Sequence, residues 1–177
     1  TLQRTMLEGG LRLDTLKTDG LDLKGLQCRL LLEGGEARLS SGEATLNNGP
    51  LRFQISANLQ DAARPSFTFL GNLDKIRLTR EFGRRWLAPF LAGFAETLEG
   101  EILQAHLELV WKGTSPQEIY ASLAGKGNMA LAANLDLGPL LPRNIPVPVE
   151  LTRFTRASVK FAVGGGVVQN VLKVEAL

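Results

Sequence analysis

LDLKGLQCRLLLEGGEARLSSGEATLNNGPLRFQISANL, residues Leu21 to Leu59, carries apolar side chains at every second position for most of its length. Leu21 and Leu23 are followed by Leu26, Cys28, Leu30 and Leu32. Beyond Glu33-Gly34-Gly35-Glu36 come Ala37 and Leu39, and beyond Ser41-Gly42 come Ala44 and Leu46. Beyond Asn47-Asn48-Gly49-Pro50 come Leu51, Phe53, Ile55, Ala57 and Leu59. A period of two puts these side chains on one face of a sheet and their polar neighbours on the other. Gly and Asn at the breaks supply the positive φ that tight hairpins need. The stretch therefore predicts an antiparallel meander with one wet and one apolar face.

The same pattern extends outward. Upstream, Leu7, Gly9-Gly10, Leu11, Leu13 and Leu16 read as about one further hairpin. Downstream, Phe67, Phe69 and Leu70 make the next strand, and Leu73, Ile76 and Leu78 lead out of it. The period then changes. Phe82, Trp86, Phe90, Phe94 and Leu98 recur every four residues, an amphipathic helix capped by Thr79 and kinked near Ala88 by Pro89. Leu103, Ala105, Leu107, Leu109 and Trp111 return to alternation. Ser115-Pro116-Gln117-Glu118 is a capping box opening a short helix that Gly125 ends. Met129 to Leu137 is another strand, and four prolines make residues 138–149 an extended crossing. A last hairpin pairs Ala157, Val159, Phe161 and Val163 with Val168, Leu172 and Val174 across Gly164-Gly165-Gly166. The total is about ten strands, one longer helix and one short one.

Composition removes several function classes. The 177 residues suit a single domain, 1–177, and a net charge of +2 gives no reason to propose nucleic acid as a partner. Cys28 and His106 are each the only residue of their type, so no cofactor, metal or Cys-His pair is expected within the chain. Gly125-Lys126-Gly127 lacks the spacing of a phosphate loop and reads as a helix C-cap. No acid–base constellation emerges, and the chain is read as a non-enzyme. No apolar run approaches the roughly 20 residues of a membrane span. The chain reads as a fragment of a longer protein, with targeting and anchoring signals outside it.

The ensemble of hairpins resembles the C-terminal region of the AsmA-like family, bacterial envelope proteins related to TamB and YhdP. The ladder leading into FLGNLDKIRL and its helix, then LEGEILQAHLELVWKG entering SPQEIYASLAGKGNMAL, is similar in order of parts. So is the closing hairpin LTRFTRASVKFAVGGGVVQNVLKVEAL, with Thr152, Phe154, Gly166 and Asn170. The resemblance covers roughly residues 11–177 and contains no catalytic signature. It implies a periplasmic location, a parent chain anchored in the inner membrane, and a long curled sheet carrying phospholipid toward the outer membrane.

Two helices of about five and two turns cover only part of so large a sheet. The expected architecture is mainly β, a curled antiparallel meander with an apolar groove that binds or conducts phospholipid or another lipid. Leu30, Leu32, Leu39, Phe53, Ile55, Phe67, Phe69, Leu107, Leu109, Leu131 and Phe161 are the expected lining. Arg77, Arg80, Arg84 and Arg85 read either as a solvated helix face or as contacts for anionic headgroups or an acidic partner. The rival reading is a structural module for outer-membrane protein assembly, with a closed sheet whose edges pair with envelope proteins. Either way the terminal strands are expected to join the remainder of the parent chain, or, in isolation, a second copy.

Overall fold

The computed structural model describes residues 6–87, 98–136, 153–165 and 167–175. Among the described residues, nine strands form one antiparallel sheet in strict sequence order, and the last is not paired with the first. They are β1 (Leu7–Thr18), β2 (Leu21–Glu33), β3 (Glu36–Leu46), β4 (Gly49–Asn58), β5 (Ser66–Leu78), β6 (Glu99–Lys112), β7 (Ala124–Asp136), β8 (Arg153–Gly164) and β9 (Val167–Glu175). Helix α1 is an α-helical turn, Arg80–Phe82, running into a π-helical turn, Gly83–Leu87. Helix α2 is Pro116–Ser122. The curled meander expected from the alternation is the observed fold.

Local chemistry explains the connections. Asn47 and Asn48 both have positive φ, the geometry of a two-residue hairpin turn between Leu46 and Gly49. Gly34 and Gly35 do the same between Glu33 and Glu36. Asn47 is itself buried and ties three elements together. Its Oδ1 accepts from the Asp22 N–H at 2.7 Å, and its Nδ2 donates to the Gly20 carbonyl at 3.0 Å and the Arg77 carbonyl at 3.4 Å. Satisfying a buried amide this fully keeps its desolvation cost small. The capping box of α2 is complete: the Ser115 hydroxyl accepts from the Glu118 N–H, and the Glu118 carboxylate accepts from the Ser115 N–H at 3.1 Å.

The strands are fewer and longer than the breaks in the pattern predict. Gly9-Gly10 lies inside β1 and Ser41-Gly42 inside β3, so neither is a turn. Instead, positive φ at Gly25, Ser41 and Lys75 marks irregularities within strands, where the inward phase changes parity. Register shifts accompany the first two, between β2 and β3 and between β3 and β4. Such bulges strengthen the local twist of a sheet. They also change which side chains point inward. Between β6 and β7 the register slips next to Leu103, and Ile102 rather than Leu103 is fully buried.

Two further expectations need correction. Gly125 does not cap α2; it lies in β7 opposite Leu109, where an added Cβ would strike the Glu108 carbonyl. Leu123 takes the cap, its N–H donating to the Ile119 carbonyl at 2.8 Å. Trp86 is 45% exposed, whereas Phe82 and Leu87 are buried. The i→i+5 winding of the π turn rotates Trp86 off the stripe that a period of 3.6 predicts. Thr79 caps α1 as expected, its hydroxyl accepting from the Phe82 N–H at 3.2 Å. The rest of the expected long helix, with Phe90 and Phe94, and the proline crossing lie outside the described residues.

Candidate functional site: an apolar trough

Directly opposed residues of an antiparallel pair share a face, so the registers trace rows across the sheet. One row runs Leu32, Ala37, Ala57, Phe67 and Trp111 from β2 to β6. The next runs Leu30, Leu39, Ile55, Phe69 and Leu109, and reaches Gly125, Val163 and Val168. Neither row contains a charged residue. The sequence-predicted residues Leu30, Leu32, Leu39, Ile55, Phe67, Phe69, Leu107 and Leu109 all lie on this face and remain partly exposed.

Three of the predicted residues are placed differently. Phe53, Leu131 and Phe161 share the face but are buried, at 7%, 1% and 4% exposure. Leu131 and Phe161 belong to a cluster with Ile76, Ile102, Val159 and the α1 residues Phe82 and Leu87. The face thus has two ends. Toward α1 it is a solvent-free core; toward the β2–β3 turn and α2 it is an accessible trough. Trp111, stacked on Phe67 with centroids 5.3 Å apart and planes 13° from parallel, belongs to the open end. Its place in the β6 alternation was the signal that could have added it to the lining.

Glycines set the relief of this surface. An added Cβ at Gly42 would stand 2.6 Å from the Phe53 ring, at Gly71 2.5 Å from the Phe69 ring, and at Gly127 2.5 Å from the Phe161 ring. The rings lie over bare backbone, which is how a large aromatic can sit along a sheet without standing up from it. Burial raises the Cys28 thiol above its ordinary value, which leaves it a neutral apolar side chain in this face.

The arginine group is not brought to the open rows. Arg85 pairs with Asp19 at 2.9 Å and Arg80 with Glu99 at 3.5 Å. Arg84 is exposed with no ion-pair partner among the described residues. Arg77 helps line a cleft of about 380 Å³ beside Asn47, together with Lys17, Asp22 and Glu81. Arg77 lies ten residue steps along β5 from Phe67, about 33 Å of extended strand.

On the outer face, the His106 ring nitrogens lie 2.8 Å from Asn72 Oδ1 and 3.1 Å from Glu108 Oε1. The hydrogen bond from His106, and then that from Lys126, holds Glu108 below the usual carboxylate range. Among the described residues no three His, Cys, Asp or Glu side chains converge on a metal site. None of the described helices is long and apolar enough to cross a membrane. Comparison of the chain with protein-family models, curated proteins and solved structures gives no match.

Proposed function

We propose that the open end of the trough binds the acyl chains of phospholipid or a similar lipid, and that the chain acts without catalysis as a lipid-holding or lipid-conducting segment. The observation that carries this is the pair of charge-free rows spanning five strands, in which every residue from β2 to β6 except Ala57 is still accessible to solvent. Continuous accessible apolar surface of this kind normally marks a binding site. Five strands spaced at about 4.8 Å make the floor about 19 Å wide. That exceeds the roughly 15 Å of acyl chain in half a bilayer core. The resemblance to AsmA-like proteins is consistent with transfer between inner and outer membrane in the periplasm, as part of a longer, membrane-anchored parent.

The arginines enter this reading only in a secondary role. Their distance from the open rows means that one lipid would not fill the trough and reach Arg77 at once.

Native mass spectrometry of detergent-free protein tests the proposal. Copurifying phospholipid is expected, and Ile55→Glu should remove it while circular dichroism stays unchanged, because a charge without a partner is strongly disfavoured in an apolar site. A clean apo mass, with no crosslink to a photoactivatable phospholipid in vesicles, would overturn it.

A further inference from the structure

Among the described residues, β1 is an outermost strand with no neighbour on its far side, and it is the most exposed of the nine. All twelve residues of Leu7–Thr18 are exposed, and Leu7, Leu11 and Leu13 are 53%, 43% and 39% exposed on the face that continues the trough. Its charges form no ion pair among the described residues. Glu8 stands opposite Leu31 and Arg12 opposite Gln27, and neither forms an ion pair among the described residues. Gly9 and Gly10 lie mid-strand, and a Cβ added to either would meet nothing within 4 Å. Bare glycine inside a strand marks a place where another backbone can approach closely.

From this edge we infer that β1 pairs antiparallel with β1 of a second copy of the chain, in a register centred on Gly10. A two-fold axis perpendicular to the sheet keeps the apolar faces on one side, so opposed residues must sum to an even number. Centring on Gly10 sets Glu8 against Arg12 twice, Leu7 against Leu13 twice, and Leu11 over the partner's Gly9 twice. The last pairing repeats the arrangement of Phe161 opposite Gly127 within the sheet.

The neighbouring registers are worse. Centring on Gly9 loses both ion pairs, setting Glu8 against Gly10 and Arg12 against Met6. Centring on Leu11 sets Glu8 against Asp14, and centring on Arg12 sets that residue against itself. Centring on Leu13 pairs Arg12 with Asp14 but sets Leu11 against Thr15 and Gly9 against Lys17. A β1-to-β9 contact is heterologous and continues head to tail into a ring or an open fibre, whereas the β1-to-β1 contact closes at two copies. The dimer joins two nine-stranded sheets and makes the apolar face continuous across them. The inference does not depend on lipid binding.

Sedimentation equilibrium of the 177-residue chain across a concentration series tests it. A dimer is expected. Glu8→Arg and Arg12→Glu should each raise its dissociation constant roughly tenfold, because two attractive cross-strand pairs become repulsive. The double variant should return it close to the starting value. That rescue separates the register from any general loss of folding. Gly10→Cys should form an interchain disulfide under mild oxidation faster than Leu13→Cys. A monomer at all concentrations, a dimer indifferent to the charge reversals, or faster crosslinking at Leu13→Cys would overturn the inference.

Discussion

Leu131 and Leu39 lie on the same face of the same sheet, yet Leu131 is 1% exposed and Leu39 remains open to solvent. Both are leucines in alternating strands, and nothing in their local sequence separates them. The difference is where they fall along the strands. Leu131 sits toward the end where Phe82 and Leu87 of α1 come down on Ile76, Ile102 and Val159. Leu39 sits toward the opposite end, four residues from the Gly34-Gly35 turn, in a row with Leu30, Ile55 and Phe69. One apolar face thus does two jobs. At the α1 end it supplies the cohesion of the fold. At the open end it presents apolar surface whose burial must come from something else.

The largest effect should come from breaking the sealed end. Phe82→Ala removes a buried aromatic from the cluster and should cost about 3–5 kcal/mol in urea unfolding. Trp86→Ala, four residues on but 45% exposed, should cost less than about 1 kcal/mol. Equal losses would mean that the π turn does not set which side chain packs.

A smaller effect is expected at the open end. Leu39→Ala removes partly exposed apolar surface and should cost about 1 kcal/mol of stability, while markedly reducing crosslinking to photoactivatable phospholipid. Leu131→Ala should do the reverse, costing about 2–5 kcal/mol with crosslinking per folded molecule unchanged. If both variants shifted the same measurement, the division between the two ends would be wrong.

The smallest effect concerns the cap of α2. The Ser115 hydroxyl, followed by the Ser115 and Thr114 backbone N–H groups, holds the Glu118 carboxyl below its ordinary value of 4.5. A lowered carboxyl stabilises the fold where it is ionised in both states. Its contribution is therefore full above the ordinary value and is lost as the pH falls through the lower folded one. Glu118→Gln should be measurably less stable than the parent chain at neutral pH, and the gap should close in acid. A gap independent of pH would show that Glu118 acts through its shape alone.

Much of the architecture was legible because hairpin chemistry is local. Asn47-Asn48 and Gly34-Gly35 carry the positive φ their turns need, and Ser115 with Glu118 caps a helix through contacts three residues apart. The side of the sheet was legible too, since alternation assigns faces: the predicted lining from Leu30 to Leu109 shares one face. What alternation cannot register is a bulge. Positive φ at Gly25, Ser41 and Lys75 changes the phase inside a strand, and Ser41-Gly42 looked like a turn for the same reason. The rotation of Trp86 by a π turn was hidden likewise, because its spacing from Phe82 suits an α-helix equally well.

By itself, then, the sequence determined the sheet, its turns and the side on which its apolar residues lie. Depth was decided only in three dimensions. Whether an inward leucine becomes core or open floor depends on which distant segment lands on it, as α1 does beside Leu131 and not beside Leu39. The exposure of β1 is of the same kind, since a strand becomes an edge only when the rest of the sheet has paired without covering it.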